Sequence, residues 1–212
     1  MSSSRLPGKV LADIGGEPSL SLLLTRLSRA ESLEEIVVAT SEEPGDDPVA
    51  AVAKRSGARA YRGPLDDVLG RFAGAIGDHD GVVVRITADC PLVDPALVDG
   101  VAGLLDGDAV YASNVEPRSF PVGLDVEAVR AETIRELARS ATDPSDREHV
   151  TTAIRRDPSR YPREALLSGR DDLSDLRWTV DTPEDLERVR GIVNALGDRR
   201  HEAGWEEMLA AT

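Results

Sequence analysis

The spacing of apolar positions predicts helices and strands in alternation along the whole chain. Leu20, Leu23, Leu24 and Leu27 fall at i, i+3, i+4 and i+7, which gives a helix over 18–30 one apolar face. The run 35–40 (Glu-Ile-Val-Val-Ala-Thr) predicts a strand, and a turn rich in Pro, Gly and Asp leads to a helix over 47–56. A strand over 59–61 and a helix over 65–76 follow. Residues 82–87 (Val-Val-Val-Arg-Ile-Thr) carry β-branched side chains without alternation, the pattern of a central strand covered on both faces. Beyond them come a helix over 95–104 and a strand over 109–113. Residues 123–129 alternate with period two, as a half-exposed strand does. Helices over 131–140 and 146–156, a strand over 176–180 and a helix over 183–196 complete the series.

Such an alternation predicts an α/β fold: three layers, Rossmann-like, with a mostly parallel sheet. No Pro/Ser linker divides residues 1–212, so one domain is expected, with a smaller lobe at about 114–170. A doubly wound fold ordinarily opens with a strand that feeds its phosphate loop. Here the pattern begins inside such a loop, and the first strand is expected to be missing. A fold without that strand, a natural truncation or a start codon placed too far downstream would each account for it.

Composition narrows the function classes. The chain has 25 Lys+Arg against 39 Asp+Glu, a formal net charge of −14, which argues against a nucleic-acid wrapper. No apolar run approaches the ~18 residues a membrane span requires, and residues 1–7 lack the apolar stretch of a secretory signal. The single cysteine, Cys90, excludes an internal disulfide and fits a reducing cytoplasm. With three scattered histidines it leaves no zinc-type ligand set. Lys9 and Lys54 are the only lysines, which makes Lys9 conspicuous.

Residues 2–9 (Ser-Ser-Ser-Arg-Leu-Pro-Gly-Lys) combine small residues with two cations, chemistry suited to a phosphate; a floppy terminus with a proline turn is the alternative. Asp89 follows the 82–87 strand at its carboxyl end, where open α/β sheets place their ligands. A carboxylate there can hold Mg²⁺ against a triphosphate, or simply begin the turn before Pro91. Asp94 caps the next helix, with Pro95 at its first position. Asp181 follows a strand directly, and because Thr182 caps the helix behind it in a Thr-x-x-Asp box, Asp181 is left either to point outward or to end the strand in a turn. Asp125 and Glu127, two apart on a strand, project to one face as acceptors for sugar hydroxyls or as a solvated surface. Ser145 and Glu148 have capping-box spacing, which leaves Arg147 and His149 free. Asp67 and Arg71, four apart on a helix, can pair with each other.

Six segments in order resemble one family. They are Arg5-Leu6-Pro7-Gly8-Lys9 with Gly15-Gly16; Asp66-Asp67-Val68-Leu69-Gly70-Arg71-Phe72; Arg85-Ile86-Thr87-Ala88-Asp89-Cys90-Pro91; Ser113-Asn114 with Gly123-Leu124-Asp125-Val126-Glu127; Asp146-Arg147-Glu148-His149; and Arg177-Trp178-Thr179-Val180-Asp181. Across about 180 residues they are similar to the acylneuraminate and KDO cytidylyltransferases within the sugar nucleotidyltransferases, in the branch of spore coat polysaccharide biosynthesis protein F. The resemblance implies a cytoplasmic nucleotidyltransferase that moves CMP from CTP to an acidic sugar, with release of pyrophosphate, for surface polysaccharide or glycan synthesis. It implies that Arg5, Lys9 and Asp89 are catalytic, and that Ser3, Ser4, Asp67 and Arg71 join them around the nucleotide. Asp89 and Asp181 would hold Mg²⁺. Asn114, Asp125, Glu127, Arg147 and His149 would form the sugar site, with Arg147 meeting a sugar carboxylate, and the 114–170 lobe would serve sugar binding and a homodimer contact. Two rival readings are a nucleotide-sugar glycosyltransferase and an inactive binding subunit. The first usually needs Asp-x-Asp where this chain has Asp89-Cys90-Pro91.

Overall fold

The computed structural model describes residues 5–170 and 172–212. A short hairpin, β1 (Asp13–Ile14) and β2 (Glu17–Pro18), comes first. Its two-residue turn puts Gly15 and Gly16 at φ 66° and 89°, the double positive φ that a tight hairpin turn demands. Helix α1 (Ser19–Leu27) follows, then β3 (Val37–Ser41), α2 (Asp47–Arg55), β4 (Arg59–Gly63), α3 (Val68–Ile76) and β5 (Val82–Arg85). Next are α4 (Pro95–Gly103), β6 (Tyr111–Ser113), β7 (Glu127–Arg130), α5 (Ala131–Ser140), α6 (Pro144–His149), α7 (Thr152–Arg156) and β8 (Arg163–Ala165). The chain closes with α8 (Pro183–Leu196) and α9 (Trp205–Ala210).

Strands β3 and β4 pair in parallel, while the larger sheet has the order β5-β7-β6-β8. Its β7 is antiparallel to both neighbours and β8 is parallel to β6, so three of its four strands share one direction. Period-two alternation across β6 and β7 serves two cores at once. The paired Ala112 and Ala128 face the main cluster, which takes in α1, α2, α4 and α8. The paired Tyr111 and Val129 face a second cluster with Leu69 of α3, Ile134 and Leu137 of α5, and Ile154 of α7. The expected 114–170 segment supplies β7, the strand between β5 and β6, together with β8 and with α5 and α7, which cover the second cluster along with α3.

Several expected elements change form. The strand over 82–87 is shorter and half-buried: β5 pairs only with β7, and β3 only with β4, so each keeps an edge with no strand partner among the described residues. The strand over 123–129 begins only at Glu127, because the side chain of Asn114 takes over the backbone pairing before it. Its Nδ2 donates to Leu124 O at 2.7 Å and its Oδ1 accepts from Val126 N at 2.8 Å. Residues 176–180 are extended, joined to Val122 by one bridge and a hydrogen bond from Val122 N to Leu176 O of 2.9 Å, without forming a ladder. The helix over 146–156 is two helices. Asp143, not Ser145, caps the first, accepting from Ser145 N, and Val150 at φ 57°, ψ −56° separates them. With Thr151 N donating to His149 O at 2.6 Å, that break is a γ-turn of the strained kind. The Thr182 capping box forms as its spacing predicts, with Asp185 N donating to Thr182 Oγ1 and Thr182 N to Asp185 Oδ2. Among the described residues no helix is long and apolar enough to cross a membrane.

Candidate functional site

Two clusters meet where the chain leaves β5. The first is built on Lys9. Gly8 at φ 73° turns the chain into a short 3₁₀ turn, Lys9–Leu11, which aims the lysine side chain inward. Its Nζ donates to Asp89 Oδ2 and to Asp181 Oδ1, each at 2.8 Å. Asp89 lies four residues beyond β5, and Asp181 lies just before the Thr182 cap of α8; Val180 N donates to Asp89 O at 2.8 Å and locks the two segments together. Arg5 reaches Asp181 Oδ1 at 3.1 Å, and Arg177 donates to Asp181 Oδ2. Two carboxylates thus face three cations. Burial opposes the charge on Lys9, but the two carboxylates outweigh it and raise the ammonium pKa. Burial would likewise raise Asp89, and the hydrogen bonds from Lys9 and Thr87 overturn that and hold its carboxyl below the usual range. Both groups are charged near neutral pH. Cys90, beside them, is fully buried, and burial together with the Asp89 charge pushes its thiol far up.

The second cluster lines a cavity of about 100 Å³ walled by Arg85, Arg118, Arg155, Asp125, Glu127 and Thr87. Glu127 is its buried hub. Tyr111 Oη donates to it at 2.7 Å, Thr151 Oγ1 at 2.8 Å and Arg85 Nη1 at 2.5 Å. The γ-turn at Val150 delivers Thr151 to that bond, so local backbone strain is spent on fixing the hub. Arg118 grips Asp125 through both oxygens, at 2.6 and 2.8 Å. Arg155 is held less tightly: its nearest carboxylate is Glu116, 4.0 Å from Nε. Thr87 joins the clusters, lining the cavity while its hydroxyl meets Cys90 Sγ at 3.2 Å.

The structure brings Arg5, Lys9, Asp89 and Asp181 together, and it sets Asp125 and Glu127 in one cavity wall. Ser3 and Ser4 lie outside the described residues. The side chains of Asp67 and Arg71 do not pair with each other; the two residues are joined through the backbone, Arg71 N donating to Asp67 O at 3.0 Å. Asp67 caps α3 through Gly70 N and takes Arg147 Nη2 at 2.5 Å, while Arg71 donates to the carbonyls of Pro64 and Leu65. Arg147 also donates to Ala138 O and Ala141 O, so it fastens α5 and α6 to the start of α3 and stays out of the cavity wall. His149 is exposed at the end of α6, and Asn114 spends its amide on the backbone before β7. Arg85 and Arg177 stood inside the motifs and went unassigned. Arg118 and Arg155 carried no sequence signal, being two arginines in a chain that uses arginine for nearly all its positive charge.

Residues 1–197 match the model of a family described as cytidylyltransferase. The spore coat polysaccharide biosynthesis protein SpsF of Bacillus subtilis is 34% identical over 209 residues, covering 94% of this chain and 85% of that protein. A 3-deoxy-manno-octulosonate cytidylyltransferase of Anaeromyxobacter sp. (strain K) is 26% identical over 236 residues, covering 91% of this chain and 94% of that protein. Among solved structures, a cytidylyltransferase from Leptospira borgpetersenii superposes with a TM-score of 0.93 at 28% identity, covering 99% of this chain and 89% of that one. The structure of a CMP:2-keto-3-deoxy-manno-octonic acid synthetase complexed with CTP shares the Rossmann-like fold at a TM-score of 0.68 and 16% identity, covering 91% of this chain and 94% of that one.

Proposed function

The chain belongs to the cytidylyltransferase family and is a nucleotidyltransferase; from that premise we propose that it transfers CMP from CTP to a hydroxyl of an acidic sugar, as a step in surface-polysaccharide or glycan synthesis. The observation that carries the reading is the Lys9 ammonium shared by Asp89 and Asp181, with Asp89 two residues along the chain from Thr87 in the wall of an arginine-lined cavity. In the reaction, a sugar hydroxyl oxygen bonds to the α-phosphorus of CTP in line with the departing bond. The bond from that phosphorus to the bridging oxygen breaks, pyrophosphate leaves, and the hydroxyl proton is released. No covalent enzyme intermediate is needed, so catalysis rests on positioning and on neutralising charge.

Arg5 and Lys9 are the cations that would meet the triphosphate, the lysine as a compact charge and the arginine as a fork. Asp89 and Asp181 suit Mg²⁺: one ammonium touches both, so they can share one cation, and two carboxylates with phosphate oxygens are the donor set that this ion takes. When bound, the metal would supply charge neutralisation on the phosphates. On the acceptor side, Arg85 on Glu127 and Arg118 on Asp125 form preset walls, and Arg155 is the guanidinium with most to gain from a sugar carboxylate.

The test combines CTP, Mg²⁺ and a panel of acidic and neutral sugars, with pyrophosphate as the readout. Release should require an acidic sugar and should fall by on the order of 10²-fold or more in Asp89→Asn, with the fold retained by circular dichroism. Release at the same rate from Asp89→Asn would remove the metal assignment, and failure of every sugar to draw pyrophosphate from CTP would remove the donor or the acceptor class.

A further inference from the structure

The Lys9 cluster is neutralised before any ligand arrives. Asp89 and Asp181 face Arg5, Lys9 and Arg177, and Arg177 also lies 3.5 Å from Asp185. The Lys9 side chain is only 16% exposed, and its Nζ stands 2.8 Å from each carboxylate, in the place a divalent cation would need in order to touch both. A metal approaching the free protein therefore meets carboxylates whose charge is already compensated and a position that is occupied. We propose that Lys9 is a built-in counter-cation that closes the free site to metal, so that a divalent cation and a nucleoside triphosphate enter as coupled ligands.

The exchange is electrostatic and needs no rearrangement of the fold. A triphosphate brings about four negative charges, enough to compensate an ammonium drawn off the carboxylates. The carboxylates, left with less positive charge, then accept a divalent cation that also touches the phosphates. Lysine suits this part, because its ammonium is a point charge on a flexible four-carbon stem, whereas a guanidinium fork would hold its carboxylate in fixed geometry. Coupling of this kind is reciprocal: the metal raises triphosphate affinity by the same factor as the triphosphate raises metal affinity. The metal half of the proposal stands on the described side chains; the triphosphate half rests on the cytidylyltransferase reading above.

Mn²⁺ serves as probe, because free and protein-bound Mn²⁺ are separated by electron paramagnetic resonance without reference to catalysis. With no nucleotide, Lys9→Met should bind Mn²⁺ at least about tenfold more tightly than wild type, about 1.4 kcal/mol, and Asp89→Asn added to Lys9→Met should abolish the gain. Lys9→Gln is the second variant, should the methionine disturb folding on a thermal melt. Wild type binding Mn²⁺ alone as tightly as either Lys9 variant overturns the proposal. In a separate arm, wild type is titrated with CTP at zero and saturating Mg²⁺, and the two affinities should differ by at least about tenfold. Equal affinities overturn the coupling. If CTP binds under neither condition while the Lys9 variants still gain Mn²⁺, the counter-cation role stands and the nucleotide reading falls.

Discussion

Gly123 sits where two site-bearing segments cross, and replacing it with alanine isolates what that crossing is worth. Its φ is +109°, and an added Cβ would stand 2.6 Å from Thr179 N, 2.6 Å from the Trp178 carbonyl carbon and 2.9 Å from Trp178 O. These are backbone atoms, so no side-chain rotation relieves the clash. Relief requires separating residue 123 from the 176–180 segment, against hydrogen bonds from Val122 N to Leu176 O (2.9 Å) and from Trp178 N to Val122 O (2.6 Å). Trp178 is fully buried and resists the shift. Positive φ with a Cβ costs about 1–2 kcal/mol, forced overpacking about 1–3 kcal/mol, and weakening the two hydrogen bonds about 1–2 kcal/mol. Gly123→Ala should therefore lose about 5 kcal/mol, a fall in Tm of roughly 10–20 °C for a chain of this size. Gly16→Ala is the control: its φ is +89° and nothing lies within 4 Å, so only the backbone cost applies, about 1–2 kcal/mol. Thermal and urea unfolding of the two variants side by side give the answer. Equal losses would refute the claim that close backbone packing, and not conformational strain alone, dictates glycine at position 123.

Two other groups give independent tests. The Cys90 thiol is buried and pushed far above its ordinary pKa, so a thiol reagent at pH 8 should label it only as fast as the protein unfolds; rapid labelling of the native protein would contradict the burial. Burial of Asp67 favours the neutral acid, but Arg147 and the Gly70 amide outweigh it and lower the carboxyl pKa. A lowered folded pKa stabilises above the unfolded value of about 3.9, and that contribution fades as pH falls through the folded value. Asp67→Asn should cost about 1 kcal/mol at pH 7 for this partly exposed pair, and the gap to wild type should narrow below about pH 4; a gap that widens in acid would reverse the sign of the argument.

The order of elements was legible because burial imposes a period. Leu20 to Leu27 made α1 visible, and Thr182-Pro183-Glu184-Asp185 marked the start of α8. The losses came where a side chain replaces a regular backbone pattern. Asn114 stands in for the first residues expected in β7, so the apolar alternation of 123–126 is real while the ladder there is absent. Strand β8 (Arg163–Ala165) has Arg and Glu in two of its three positions and lies at the sheet edge, where no burial forces a signal. In the candidate site, Asp89 and Asp181 stood out because each follows an apolar run, and Lys9 because it is one of two lysines; the structure brings the three side chains together. Arg147 misled because its neighbours in sequence do not reveal that Asp67, 80 residues away, captures it.

The two clusters also differ in kind: the cations of the cavity wall are all arginines, whereas the other cluster adds Lys9 to Arg5 and Arg177. In a chain of net charge −14, local positive charge has to be assembled residue by residue, and around the cavity the chain does so with arginine. Arg118 is fixed by both oxygens of Asp125, and Arg85 is fixed by the buried Glu127, which Tyr111 and Thr151 hold in turn. Such forks keep their geometry whether or not a ligand is present, which suits a wall that must recognise one shape. The Lys9 cluster uses one of only two lysines, and it places the ammonium between two carboxylates that each attract it separately. A point charge shared in this way can move without breaking a fork and without leaving a carboxylate buried alone, provided that another cation replaces it. Under the proposed exchange, the fork-held Arg85 and Arg118 stay still while Lys9 moves.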